Sequence, residues 1–217
     1  MEKKIMQARW KDPFFLKEKT DVISKIEGNK IGGGFSRILV LNNEDLAGMT
    51  LPCPPASLSR AQISNCNFAF SILDGEMGKV EIRNSNFHGS IFNGSNMLAS
   101  KLFECDLSDC KIAAFFADAV FESCDFSRTK FSGGGRSGHS GIRAKFINCD
   151  FSLVTFKNTI LRAVKFINCN FQGVEFINSD MRGTKLENCL HVESVSFKNM
   201  EDVSGGIPEW ALGNASE

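Results

Sequence analysis

From residue 146 to residue 186 every fifth position is large and apolar: Phe146, Phe151, Phe156, Leu161, Phe166, Phe171, Phe176, Met181 and Leu186. A period of five is neither the 3.6 of a helix nor the 2 of a strand, so neither a simple amphipathic helix nor a simple sheet produces it. The spacing extends upstream in blocks whose phases slip by single residues. These blocks are Leu58, Ile63, Phe68 and Leu73; then Ile82, Phe87, Phe92, Met97, Leu102, Leu107 and Ile112; then Phe116, Phe121, Phe126 and Phe131. Two residues before each centre sits a small or β-branched side chain, as at Ala144, Cys149, Val154, Thr159, Val164 and Cys169. A narrow closed interior requires such an alternation if both side chains point inward. The stretch from Lys145 to Phe151 (KFINCDF) returns from Lys165 to Phe171 (KFINCNF), so several five-residue units make one longer repeat.

The rule small-x-(Leu/Phe)-x-x resembles the pentapeptide-repeat family over about residues 44–199. The resemblance implies an all-β fold, a right-handed parallel quadrilateral β-helix (β-solenoid) with one pentapeptide per face. The chain departs from the family's commonest form in using Phe more than Leu, in its phase slips, and in lacking most of the usual Asp/Asn just before the centre. Residues 1–43 are expected to form a non-repeat cap, residues 44–199 the β-helix with a loop insertion at 132–145, and residues 200–217 a C-terminal cap or tail. Asp12 and Pro13 mark a helix start within the first segment, and Ile38 to Leu41 a strand joining the first coil. Pro208 to Leu212 reads as a short capping helix with Trp210 over the last coil.

Stacking coils at the strand spacing of about 4.8 Å places residues one coil apart directly above one another. Phe146, Phe166 and Leu186 then form one internal column, and Phe151 with Phe171 another. Cys149, Cys169 and Cys189 form a third, which turns the cysteines from candidate chemistry into small packing residues. Asn148, Asn158, Asn168, Asn178 and Asn188, with Leu153, Ala163, Gly173 and Gly183 between them, fall at corners that require positive φ. Lys145, Lys165 and Lys185 form an outward column with Ile147 and Ile167 beside it and Glu187 ending the row, while Arg162 and Arg182 form a second column. These residues are the candidate partner-binding set, together with Arg136, His139 and Arg143 on the glycine-rich loop.

Composition sharpens this picture. The chain has 217 residues, with 20 Phe and no Tyr, because a hydroxyl inside a closed apolar tube would lack a partner at about 1–3 kcal/mol. Its formal net charge of +0 conceals an acidic middle (Glu104, Asp106, Asp109, Asp118, Glu122, Asp125) and a basic second half. That distribution argues against an acidic DNA mimic, which needs negative charge along most of its length. No CxxC pair occurs and the three His are scattered, so neither a metal site nor a cofactor is expected. No nucleophile, base and orienting group assemble, so the chain reads as non-enzymatic.

The family resemblance implies a protein-binding scaffold, foremost a bacterial protective (immunity or resistance) protein that sequesters or shields a protein partner, a toxin in one version. Two alternatives remain: a DNA-mimicking topoisomerase-protection protein of the quinolone-resistance type, and a secreted effector or structural spacer. The expected partner is a protein, with no direct nucleic acid or membrane contact. A homodimer through the C-terminal end is open, with Trp210 as the candidate contact. The chain has no apolar run suited to a signal sequence or a membrane span, and a cytoplasmic location is expected.

Overall fold

The computed structural model describes residues 1–29, 38–51, 57–133, 141–200 and 207–212. It is a parallel β-solenoid with four-sided coils, as the period of five requires. One face of each coil contributes a strand to a first sheet, in the order β1 (Val40–Asn42), β3 (Gln62–Ser64), β5 (Glu81–Arg83), β7 (Lys101–Phe103), β9 (Val120–Glu122), β11 (Lys145–Ile147), β13 (Lys165–Ile167) and β15 (Lys185–Glu187). The opposite face builds the second sheet from β2 (Thr50–Leu51), β4 (Ile72–Leu73), β6 (Ile91–Asn96), β8 (Lys111–Phe115), β10 (Lys130–Ser132), β12 (Thr155–Lys157), β14 (Glu175–Ile177) and β16 (Ser196–Lys198). The remaining two faces are joined coil to coil by single bridges, such as Asp150 to Asn170 and Ile160 to Asp180.

Most of the strands are three residues long, centre in and neighbours out, so each face buries one large side chain per coil. Phe121, Phe146 and Phe166 stack in the first sheet with centroids 4.8 and 5.1 Å apart. Phe131, Phe156 and Phe176 stack in the second at 4.7 and 5.0 Å. Neighbouring columns meet edge to face, as Phe166 does with Phe171 at 5.1 Å and 85°. Such pairs each add about 0.5–1.5 kcal/mol beyond burial. The expected aromatic columns are therefore the actual core.

The corners also follow the sequence pattern. Asn148, Leu153, Asn158 and Ala163 have φ of 54°, 60°, 54° and 55°. Asn tolerates this left-handed region because its short side chain bonds locally. It does so here along the axis, with Asn168 Nδ2 donating to Asn148 Oδ1 at 3.1 Å and Asn178 Nδ2 to Asn158 Oδ1 at 2.8 Å.

The phase slips before Leu186 have one location. Up to that residue, three of the four corners take five residues from centre to centre, and only in the last coil does the path from Leu186 to Phe197 carry one residue more than its counterpart from Phe166 to Phe176. The corner leaving the second sheet varies: Leu51 to Leu58, Leu73 to Met77, Phe92 to Met97, Ile112 to Phe116 and Phe131 to Gly141. A bulge between β6 and β8, where Asn93 pairs Ala113 but Asn96 pairs Phe115, absorbs one such difference. The excursion at this corner is narrower than the expected 132–145. Ser132 still belongs to β10, and Gly141 is already back in the coil, its N–H bonded to the Ile160 carbonyl at 2.9 Å.

Both ends are covered. At the first coil, α1 (Glu2–Ala8), α2 (Pro13–Glu18) and α3 (Thr20–Gly28) form the cap, with Asp12 accepting the Phe14 N–H as the α2 start requires. Arg9 grips Asp45 through two nitrogens at 2.5 and 2.8 Å, and the Trp10 indole donates to the Ala47 carbonyl at 2.8 Å. Val22 and Ile26 complete the apolar seal. At the other end, Pro208 leads into α4 (Glu209–Leu212), and Trp210 lies 5.8 Å from Phe197. That ring packs against the last coil.

Candidate binding face

The register of the first sheet aligns Lys145, Lys165 and Lys185 as sequential rungs of one outward column, with Val120 below Lys145. All three are exposed, and none has an ion-pair partner among the described residues. Ile147 and Ile167 form the adjacent half-buried column, bounded by Glu122 at one end and Glu187 at the other. Like charges on rungs about 4.8 Å apart repel one another.

The arginines differ. Arg162 Nε lies 2.5 Å from Asp180 Oδ2, and Arg182 places Nε and Nη2 3.0 and 2.8 Å from the two oxygens of the same carboxylate. The expected second basic column is therefore an internal clamp with Asp180 between its two arms. Arg143 belongs to a coil corner, not to the loop, and makes two 2.7 Å bonds to Asp118. Arg128 likewise bonds both oxygens of Asp109, at 3.0 and 2.7 Å. Basic side chains of the second half thus reach back to the acidic middle, so the charge separation along the rod is partly stitched together. Arg136 and His139 lie outside the described residues, as does Cys53.

Burial pushes the Asp180 carboxyl up, but bonds from Arg182 and Arg162 outweigh it and hold the group below its ordinary 3.8. Asp109 and Asp118 are held down by Arg128 and Arg143. A carboxylate depressed in the fold contributes stability that is full above its unfolded pKa and is lost as pH falls through the folded one. Stability of the wild type should therefore decline as pH drops below 3.8, and Asp180→Asn should flatten that decline. Urea titrations at stepped pH measure it; identical slopes for both proteins would contradict the clamp.

One outward column was not anticipated. Asp45, Asn67, Asn86, Asp106, Asp125, Asp150 and Asn170 stack on the face following the first sheet, each just before a centre. Their Oδ1 atoms accept the N–H two residues on, at 2.8 Å for His88, 2.7 Å for Ser127 and 2.8 Å for Ser152. The usual Asp/Asn is thus present, concentrated on one face where a coil-by-coil alignment of the sequence reveals it.

The cysteine column is inward and reduced. Cys105, Cys124, Cys149 and Cys169 are buried free thiols with Cys189 half-exposed at its end. Burial pushes the Cys66, Cys110 and Cys149 thiols up, so these are packing groups. His88 Nδ1 lies 2.9 Å from Ser108 Oγ, and the Ser108 hydroxyl donates to Asp106 Oδ1 at 2.6 Å. Among the described residues no His/Cys/Asp/Glu group has metal-ligand geometry.

The family model for pentapeptide repeats matches in eight copies, at residues 81–113, 142–173 and 149–188. Those segments are pentapeptide repeats. No curated protein matches the chain. Among solved structures, the chain is similar to QnrB1, a plasmid-mediated fluoroquinolone resistance protein, at 16% identity over 73% of this chain and 79% of that one, with a TM-score of 0.38. It is similar to HetL, a pentapeptide repeat protein involved in heterocyst differentiation regulation from the cyanobacterium Nostoc sp. strain PCC 7120, at 14% identity over 81% and 95%, TM-score 0.29. A pentapeptide repeat protein of the Arabidopsis thaliana thylakoid lumen is similar at 20% identity over 55% and 70%, TM-score 0.31. No helix among the described residues is long and apolar enough to cross a membrane.

Proposed function

We propose that the protein is a non-enzymatic binding scaffold of the protective kind, which captures an acidic protein on the lysine face of its first sheet. The observation that carries this reading is the contrast between two sets of cations. Arg128, Arg143, Arg162 and Arg182 are each paired with a carboxylate, whereas Lys145, Lys165 and Lys185 stack without one among the described residues. A ladder of like charge opposes folding, and a partner of opposite charge turns that repulsion into binding energy. Ile147 and Ile167 supply an apolar strip that such a partner would cover.

The test is capture of partner from native lysate by wild type and by the triple variant Lys145→Glu, Lys165→Glu, Lys185→Glu. The variant should lose the partner by at least about tenfold, equivalent to 1.4 kcal/mol, with an unchanged circular dichroism spectrum. Equal capture by both proteins would sink the lysine face. The same pair assayed with gyrase and a quinolone separates the two protective roles: protection by wild type alone would assign the face to a topoisomerase, and none by either favours a toxin.

A further inference from the structure

The molecule carries a second ladder, opposite in sign and equal in length. Asp106, Asp125 and Asp150 are successive rungs on the neighbouring face, each bridged to the next. Their Oδ1 atoms are engaged with the backbone, but no Oδ2 of the three has a hydrogen bond or an ion-pair partner among the described residues. All three are half-exposed. The lysine ladder occupies the coils of β11, β13 and β15, and the aspartate ladder those of β7, β9 and β11.

Both ladders take their spacing from the same stacked backbone, about 4.8 Å per rung. A helix advances about 5.4 Å per turn and drifts out of step with such a ladder, while another solenoid does not. The aspartate ladder matches the lysines in number and pitch and is opposite in sign. We infer that the lysine ladder of one molecule docks on the aspartate ladder of a second copy of this chain, displaced along the rod. This rests on the same reading of Lys145, Lys165 and Lys185 as a binding face, and names the copy as an occupant of it.

The contact joins two different patches, so it is heterologous: every copy added leaves one ladder of each sign free at the ends of the assembly. Staggered association therefore continues with concentration instead of stopping at a dimer. It also weakens with salt, because both ladders are solvent-exposed and screening shortens from about 10 Å at 0.1 M to about 3 Å at 1 M.

Sedimentation velocity on the full chain tests this. Wild type should grow past the dimer as concentration rises at about 0.1 M salt and revert to monomer at about 1 M. Two variants each remove one ladder: Lys145→Gln/Lys165→Gln/Lys185→Gln, and Asp106→Asn/Asp125→Asn/Asp150→Asn, the latter keeping the Oδ1 acceptor that caps each turn. Each alone should be monomeric. Mixed in equal amounts they should form a heterodimer and nothing larger, since only one usable ladder of each sign remains. A monomeric wild type at every concentration overturns the inference, as does continued assembly by either folded variant alone. Loss of lysate partner by the lysine variant beside a monomeric wild type would overturn the copy as occupant while leaving the proposed function in place.

Discussion

Phe166→Asp should abolish the folded solenoid, with loss of β circular dichroism at room temperature and no cooperative urea transition. Phe166 is fully buried, stacked on Phe146 at 5.1 Å and met edge-on by Phe171 and Phe151 at 5.1 and 5.3 Å. An aspartate there has no described cation within the tube, and an unpaired buried carboxylate costs several kcal/mol on top of the lost ring. Truncation alone, Phe166→Ala, should cost about 3–5 kcal/mol. Phe166→Leu should be far milder, because the next rung of that column is already Leu186. A folded Asp variant with wild-type stability would show that the columns are not the core.

The second large effect is expected at Gly141. Its place in the coil belongs elsewhere to Leu58, Met77, Met97, Phe116, Leu161 and Met181. A Cβ added at Gly141 would lie 2.1 Å from Phe116 Cε2, because the Phe116 ring of the previous coil leans into that space against Phe131, Phe121 and Phe146. Gly141→Leu should therefore destabilise by about 1–3 kcal/mol through overpacking, and Phe116→Ala by about 3–5 kcal/mol through the void it leaves. Combining them should cost less than Phe116→Ala alone, since the new leucine fills that void. Denaturant unfolding of the four proteins gives the coupling; simple additivity would mean that the two positions do not share space.

These two positions also mark what the sequence made readable. Phe166 was legible because its neighbours recur at a constant interval, and so were the corner asparagines and the rungs Lys145, Lys165 and Lys185. Gly141 was not, because its coil place is recognisable only after the irregular corner has been located, and Met77 escaped notice for the same reason. The clamps were hidden differently. Arg128 reaches Asp109, and Arg143 reaches Asp118, across coils of unequal length, so no single offset predicts both pairs. The stacked Asp and Asn residues were hidden by averaging over faces, since on the other three sides the position before the centre is mixed.

Confining length changes to one corner has a consequence for the outer surface. A coil that is one residue short, from Leu102 to Phe121, or five residues long, from Phe121 to Phe146, returns to the same angular position at its first strand. Errors in length therefore never accumulate, and the rod behaves as a phase-locked array. Side chains displayed on the first sheet stay aligned however much the corner grows or shrinks. Segments of new sequence placed between Phe92 and Met97, or between Phe176 and Met181, would leave the lysine column in line.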